Sequence, residues 1–170
     1  MIFNHFPNWS GQVSRPLVYI VKYRADWTSR RPNRKSTAPT IGKPGPFGIG
    51  GVLRNHDGIL LGIFSLSVGI LDSNVAELRA VVKAIELSAS NCFLHHKHII
   101  IESDSANVIS WMNNPHNRPW IRHKLFSSTQ RLASCFDSIS YTHSYQESNH
   151  MADHLAKQGV HRISDFVAWL

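Results

Sequence analysis

The pattern of this 170-residue chain predicts an α/β domain in which a mixed sheet is flanked by helices, with its elements in the order βββαβααβα. Two observations carry that prediction. Three strand-like stretches follow one another before any helical period begins, and after them short apolar runs alternate with stretches whose apolar residues recur every three or four positions. Sequential strands followed by crossover units give a sheet of mixed direction.

Residues 1–16 are polar and irregular, end at Pro16, and read as a leader or linker. The first strand is "LVYIVKYRA", Leu17–Ala25, rich in β-branched and aromatic residues. A basic, proline-broken insert of about residues 27–41 follows, and "GKPGPFG" then reads as a turn. "FGIGGVLRN" and "GILLGIFSLSVG" form two strands joined at "NHDG", where Asp57-Gly58 marks a hairpin. From Asn74, the spacing of Val75, Leu78, Val82, Ile85 and Ala89 predicts an amphipathic helix ending near Ser90.

"HIIIES", His98–Ser103, is a short continuous apolar run, as in a strand buried on both faces. Val108, Trp111 and Met112 predict a short helix after it, so the chain passes from strand to helix at Asp104. Ile121, Leu125, Leu132 and Phe136 mark another helix, "SISYTHSY" a last strand, and "NHMADHLAKQG" a final helix with Asn149 as N-cap and Gly159 past its end. The domain therefore covers residues 17–160, leaving 161–170 as a C-terminal tail whose Phe166, Val167, Trp169 and Leu170 either pack on the body or continue elsewhere.

Composition narrows the function classes. The apolar share of 42% and charged share of 17% are those of a folded domain, and no apolar run approaches a membrane span. The N-terminus has no secretory pattern, so an intracellular protein is expected, in nucleus or cytoplasm, and a monomer. Cys92 and Cys135 lack metal spacing and are expected as free thiols; His95, His96 and His98 have no acidic or thiol partners at ligand spacing. The net charge is +7, and Arg30, Arg31, Arg34 and Lys35 lie in one acid-free stretch, which points to nucleic acid as partner or else to a solvated loop.

With only eleven acidic residues, four fall where strands end or helices begin: Asp26, Glu77, Asp104 and Asp153. Ligand sites of such sheets gather there, and crowded carboxylates call for a hard divalent cation such as Mg²⁺ or Mn²⁺. Each also has a plain structural alternative. Glu77 lies three residues after Asn74 and fits a capping box, Asp104 fits an N-cap, Asp153 a helix-surface charge, and Asp26 a strand end.

The segments "KPGPFGIGGVLRNHDG", "SNVAELRAV", "IIIESDS" with "WMNNP", and "HSYQESNHMADHLAK", in that order, resemble type 1 ribonuclease H, in particular the ribonuclease H-like domains of plant non-LTR retroelements. The resemblance implies a five-stranded mixed sheet of the ribonuclease H-like fold. It implies an endonuclease that uses two Mg²⁺ ions to hydrolyse the RNA strand of RNA–DNA hybrids, with Asp26, Glu77, Asp104 and Asp153 as metal ligands and His143 as a proton relay. Two cations about 3.5–4 Å apart activate a water and stabilise the leaving oxygen. Asp26 would bridge them.

One segment departs from the family pattern. The first aspartate is normally followed by glycine and soon by the Gly-Lys-Pro-Gly turn; here Trp27 follows Asp26 and the turn waits until Gly42. Fixing the turn puts Thr37 at the catalytic position, whereas fixing the strand puts Asp26 there with an insert behind it. The second register is preferred because "RPNRKST" is too polar and proline-broken for a central strand. Three functions follow: a metal-dependent hybrid nuclease, a degenerate, domesticated nucleic-acid-binding domain with little or no catalysis, or a structural interaction domain, which the basic balance disfavours.

Overall fold

A computed structural model describes residues 16–25, 45–144 and 150–170, with the side chains of 22–25 and Gly45 left aside. The elements are β1 (Leu17–Ala25), β2 (Gly45–Arg54), β3 (Leu60–Leu71), α1 (Ser73–Ser90), β4 (His98–Ser103), α2 (Ala106–Asn113), α3 (His123–Ala133), β5 (Ser138–His143), α4 (His150–Gly159) and β6 (Phe166–Trp169). The sheet order is β5-β4-β1-β2-β3-β6, with β1, β2 and β3 antiparallel and β4 and β5 parallel to β1. The sheet carries six strands where five were expected. The sixth comes from the segment read as a tail: β6 pairs antiparallel with the β3 edge, Gly62 opposite Trp169. Only four residues long, it was too short to show a period of its own.

Alternation along β1 explains the two layers. Tyr19 and Val21 are buried in the larger core with Leu78, Val81 and Ile85 of α1 and with Ile99 and Ile101 of β4. Ile20 faces the other way and joins Val52, Ala152 and Leu155 in a smaller cluster under α4. Glycines in β2 let α4 lie directly on the sheet. A Cβ on Gly50 would stand 2.5 Å from the Ala156 backbone nitrogen, closer than such atoms approach.

The helix ends differ from expectation in an informative way. The N-cap of α1 is Asp72, whose side chain accepts from the Asn74 backbone N–H at 2.9 Å. Glu77 thus sits a full turn inside the helix and is no part of a capping box. The N-cap of α2 is Ser105, not Asp104, its hydroxyl accepting from the Val108 N–H. Gly159 closes α4 as its last residue, and Asn149 lies outside the described residues. In the β2–β3 hairpin, Asn55 accepts from the Asp57 and Ile59 N–H groups, and Gly58 takes the positive φ of +79° that the turn requires.

The register of β1 governs what lies at the end of the sheet. Against β4 it runs Leu17↔Ile99 to Ile20↔Glu102, and against β2 without a shift on the β1 side from Val18↔Arg54 through Lys22↔Gly50 to Ala25↔Phe47. Counted on past the last parallel pair, Ile20↔Glu102, residue 22 corresponds to residue 104. Ala25 is three residues beyond residue 22, about 10 Å at about 3.3 Å per residue.

Candidate functional site

Asp104 lies at the carboxyl end of β4, and Glu77 of α1 is tied to its neighbour Ser105. The apolar run of that strand ends at Ser103, the chain bends at Asp104, and Ser105 starts α2. The Ser105 hydroxyl has two tasks: it caps α2 and donates a hydrogen bond to the Glu77 carboxylate. A serine cap therefore fastens the buried Glu77 of α1 to the residue next to Asp104. A second tie, Asn107 Nδ2 to Asn74 Oδ1 at 3.2 Å, joins the first turns of α2 and α1.

Both Asp104 carboxylate oxygens are shielded from solvent, and so is Oδ1 of Asp153. Its other oxygen receives the Lys157 ammonium at 2.8 Å, one turn along α4. Concentrating carboxylates away from water is unfavourable unless positive charge or donors answer them. Asp153 enters from α4, the helix on the opposite face of the sheet from α1. His143 ends β5 in register with Ser103, and the next residue, Ser144, donates its N–H to the Ser103 carbonyl at 2.9 Å. His143 is thus exposed one strand away from Asp104.

Two residues before His143, Tyr141 is held largely out of water. Burial pushes its phenol up to about 12, only partly offset by the Arg118 cation. Tyr19, wholly enclosed in the core, is pushed up by the same cause.

Of the site residues read from sequence, Glu77 and Asp104 are joined through Ser105, His143 lies beside them on the next strand, and Asp153 comes from the helix on the other face. Asp26, Arg30, Arg31, Arg34 and Lys35 lie outside the described residues. Among the described residues, no three of His, Cys, Asp and Glu stand close enough to hold a metal ion. The described residues alone do not make a metal site. A cavity of about 360 Å³ lies elsewhere, between α1 and β3, and is lined by Arg79, Lys83, Glu86 and Asp165 but by none of these acids.

Ser105 and Lys157 were not singled out from sequence, although both left a signal. A serine three residues before Val108 marks a cap, and Asp153 and Lys157 are one helical turn apart.

Residues 40–159 match the model of the family described as reverse transcriptase-like. Ribonuclease HI of Halobacterium salinarum is 31% identical over 121 residues, which cover 70% of this chain and 59% of the relative. The chain thus spans about 59% of the length of that relative. Among solved structures, the N-terminal ribonuclease H domain of a Mycobacterium tuberculosis protein superposes with a TM-score of 0.67 at 24% identity, covering 86% of this chain and 94% of that one. LC11-RNase H1, solved in complex with an RNA/DNA hybrid, gives 0.68 at 21% identity over 85% of this chain and 96% of that one. These likenesses establish the ribonuclease H fold.

Proposed function

The chain belongs to the reverse transcriptase-like family of ribonuclease H-fold domains, and we propose that it binds RNA–DNA hybrids across the carboxyl end of β4, where Glu77 and Asp104 lie. The observation that supports this reading is the Glu77–Ser105–Asp104 arrangement, three polar residues held at one strand end by a capped helix. A hybrid presents 2′-hydroxyls on one strand and phosphates on both. Fixed carboxylates accept from hydroxyls, and cations meet phosphates. The net charge of +7 supplies the attraction, and Arg30, Arg31, Arg34 and Lys35 are the proposed phosphate contacts. No helix among the described residues is long and apolar enough to cross a membrane.

A second reading, Mg²⁺-dependent hydrolysis of the RNA strand, is favoured by the withdrawal of the Asp104 oxygens from water at that same strand end. It assigns Asp26, Glu77, Asp104 and Asp153 to the metals and His143 to proton transfer. Since the described residues gather no metal group, it stands or falls with Asp26.

Fluorescence anisotropy with a labelled hybrid and with duplex DNA, in EDTA and in Mg²⁺, tests both readings. The hybrid is expected to bind more tightly than duplex DNA, with affinity falling steeply as salt rises. Equal affinity for both duplexes would sink the hybrid reading. Cleavage of the RNA strand that needs Mg²⁺ and disappears in Asp104→Asn would establish the nuclease; binding without cleavage leaves the binding domain.

A further inference from the structure

We propose that β1 is locked in the register in which residue 22, a lysine, stands level with Asp104, so that the position from which a first carboxylate would share an ion with Asp104 carries no acid. This deepens the hybrid-binding reading, on which it rests for its functional meaning.

The register is fixed from two sides. Four parallel pairs with β4 and eight antiparallel pairs with β2 agree, with no shift on the β1 side. Packing explains why it holds. Tyr19, Ile20 and Val21 are all buried, and they are the last apolar run before Lys22 and Arg24. Bringing residue 26 to the level of Asp104 requires a shift of four residues. Such an even shift keeps each residue on its face, so alternation does not forbid it. It would, however, bring Arg24 to the place of Ile20, among Val52, Ala152 and Leu155, and Lys22 to the place of Val18 beside them. Apolar burial thus opposes delivery of Asp26 by the strand itself. Two ligands of one Mg²⁺ have oxygens within about 4 Å of each other, since each bond is about 2.1 Å. Ala25 still lies in the sheet opposite Phe47, about 10 Å along the strand beyond residue 22. A chain continuing from there must turn back to meet that ion.

The register can be read without activity. Val18 and Arg54 are partners in the β1–β2 ladder, and a four-residue shift would make residue 22 the partner of Arg54. Under mild oxidation, the Val18→Cys/Arg54→Cys pair is expected to close and the Lys22→Cys/Arg54→Cys pair to stay open, measured by thiol counting and by mass. Closure of the second pair, alone or equally with the first, overturns the proposal.

The functional consequence has its own readout. The wild type is expected to bind hybrid with an unchanged thermal midpoint in Mg²⁺, and Asp26→Asn to behave identically. Lys22→Asp, which supplies an acid at the level of Asp104, is expected to raise the midpoint in Mg²⁺ by on the order of 5 °C. Wild-type Mg²⁺-dependent cleavage abolished by Asp26→Asn overturns the proposal. Absence of hybrid binding in every variant sinks the hybrid reading while the cross-links still decide the register.

Discussion

β4 and β1 are neighbouring parallel strands, yet they end differently. In β4 the apolar run Ile99–Ile101 gives way within three residues to Asp104, and Ser105 at once caps the next helix, so the carboxylate stands at the strand-to-helix junction. In β1, Tyr19, Ile20 and Val21 are buried, and the strand continues in register through residues 22 and 24 to Ala25. The difference is one of pairing: β1 pairs with β4 only as far as Ile20, whereas it pairs with β2 as far as Ala25. A carboxylate at the terminus of a strand has no fixed place until the register of that strand is known.

The sharpest way to break this comparison is to put into β1 what the shifted register would put there. Ile20→Arg places a cation in the apolar cluster of Val52, Ala152 and Leu155. A buried charge without a partner costs about 3–5 kcal/mol, a large part of the stability of a small domain. Urea unfolding is expected to show a loss of that size or failure to fold. A loss below about 1 kcal/mol would mean that the cluster tolerates Arg24 there and that β1 is free to slip.

The β4 end is tested by Ser105→Ala. The substitution removes the α2 cap and a donor to the buried Glu77 carboxylate, which together are worth about 2–3 kcal/mol. Ser105→Ala combined with Glu77→Gln is expected to lose less than the sum of the two, by more than about 0.5 kcal/mol, because the residues share one contact. Additivity would show that the serine acts only as a cap.

Which parts of this were legible beforehand follows from the range of the interactions. The order of strands and helices, the β4–α2 junction and the turn at Gly58 rest on local pattern and were read correctly from the sequence. β6 escaped because its pairing partner, β3, is about a hundred residues away and four residues carry no period. Glu77 was open between a capping-box residue and a metal ligand; Asp72 takes the cap, and Glu77 instead accepts from Ser105, 28 positions away. Asp26 was placed by fixing the strand, and it lies outside the described residues. Register is a property of two strands together, so one strand's pattern does not contain it.

On the other flank of β4, Tyr141 offers a pH test of how tightly β5 closes this end. Burial raises the folded-state pKa of Tyr141 from the ordinary phenol value of about 10 to about 12. The neutral phenol is favoured in the folded protein, so its contribution is intact below pH 10 and is lost as pH rises towards 12. A fall on the order of 1 kcal/mol over that window is expected from Tyr141, with Tyr19 adding to the slope in the same direction. Tyr141→Phe should flatten the curve between pH 10 and 12 and leave stability at pH 7 nearly unchanged; an unaltered curve would mean that the phenol is open to water.

The smallest effect is expected at Asp153, the carboxylate that reaches this region from α4. Its Oδ2 is paired with Lys157 at 2.8 Å, but the lysine side chain is 61% exposed, so water and salt screen the pair. Such i,i+4 pairs contribute about 0.3–0.5 kcal/mol, against about 2–3 kcal/mol for the buried Ser105–Glu77 contact with its cap. Lys157→Ala is therefore expected to cost less than about 0.5 kcal/mol at low salt and nothing measurable in 1 M NaCl, where the screening length falls to about 3 Å. A larger loss, or one indifferent to salt, would place Asp153 in the same class as Glu77, a carboxylate whose position depends on its partner. The expected small loss leaves its orientation to the packing of α4 on the sheet, where Gly50 admits the helix backbone and Leu155 and Ala152 fill the apolar cluster.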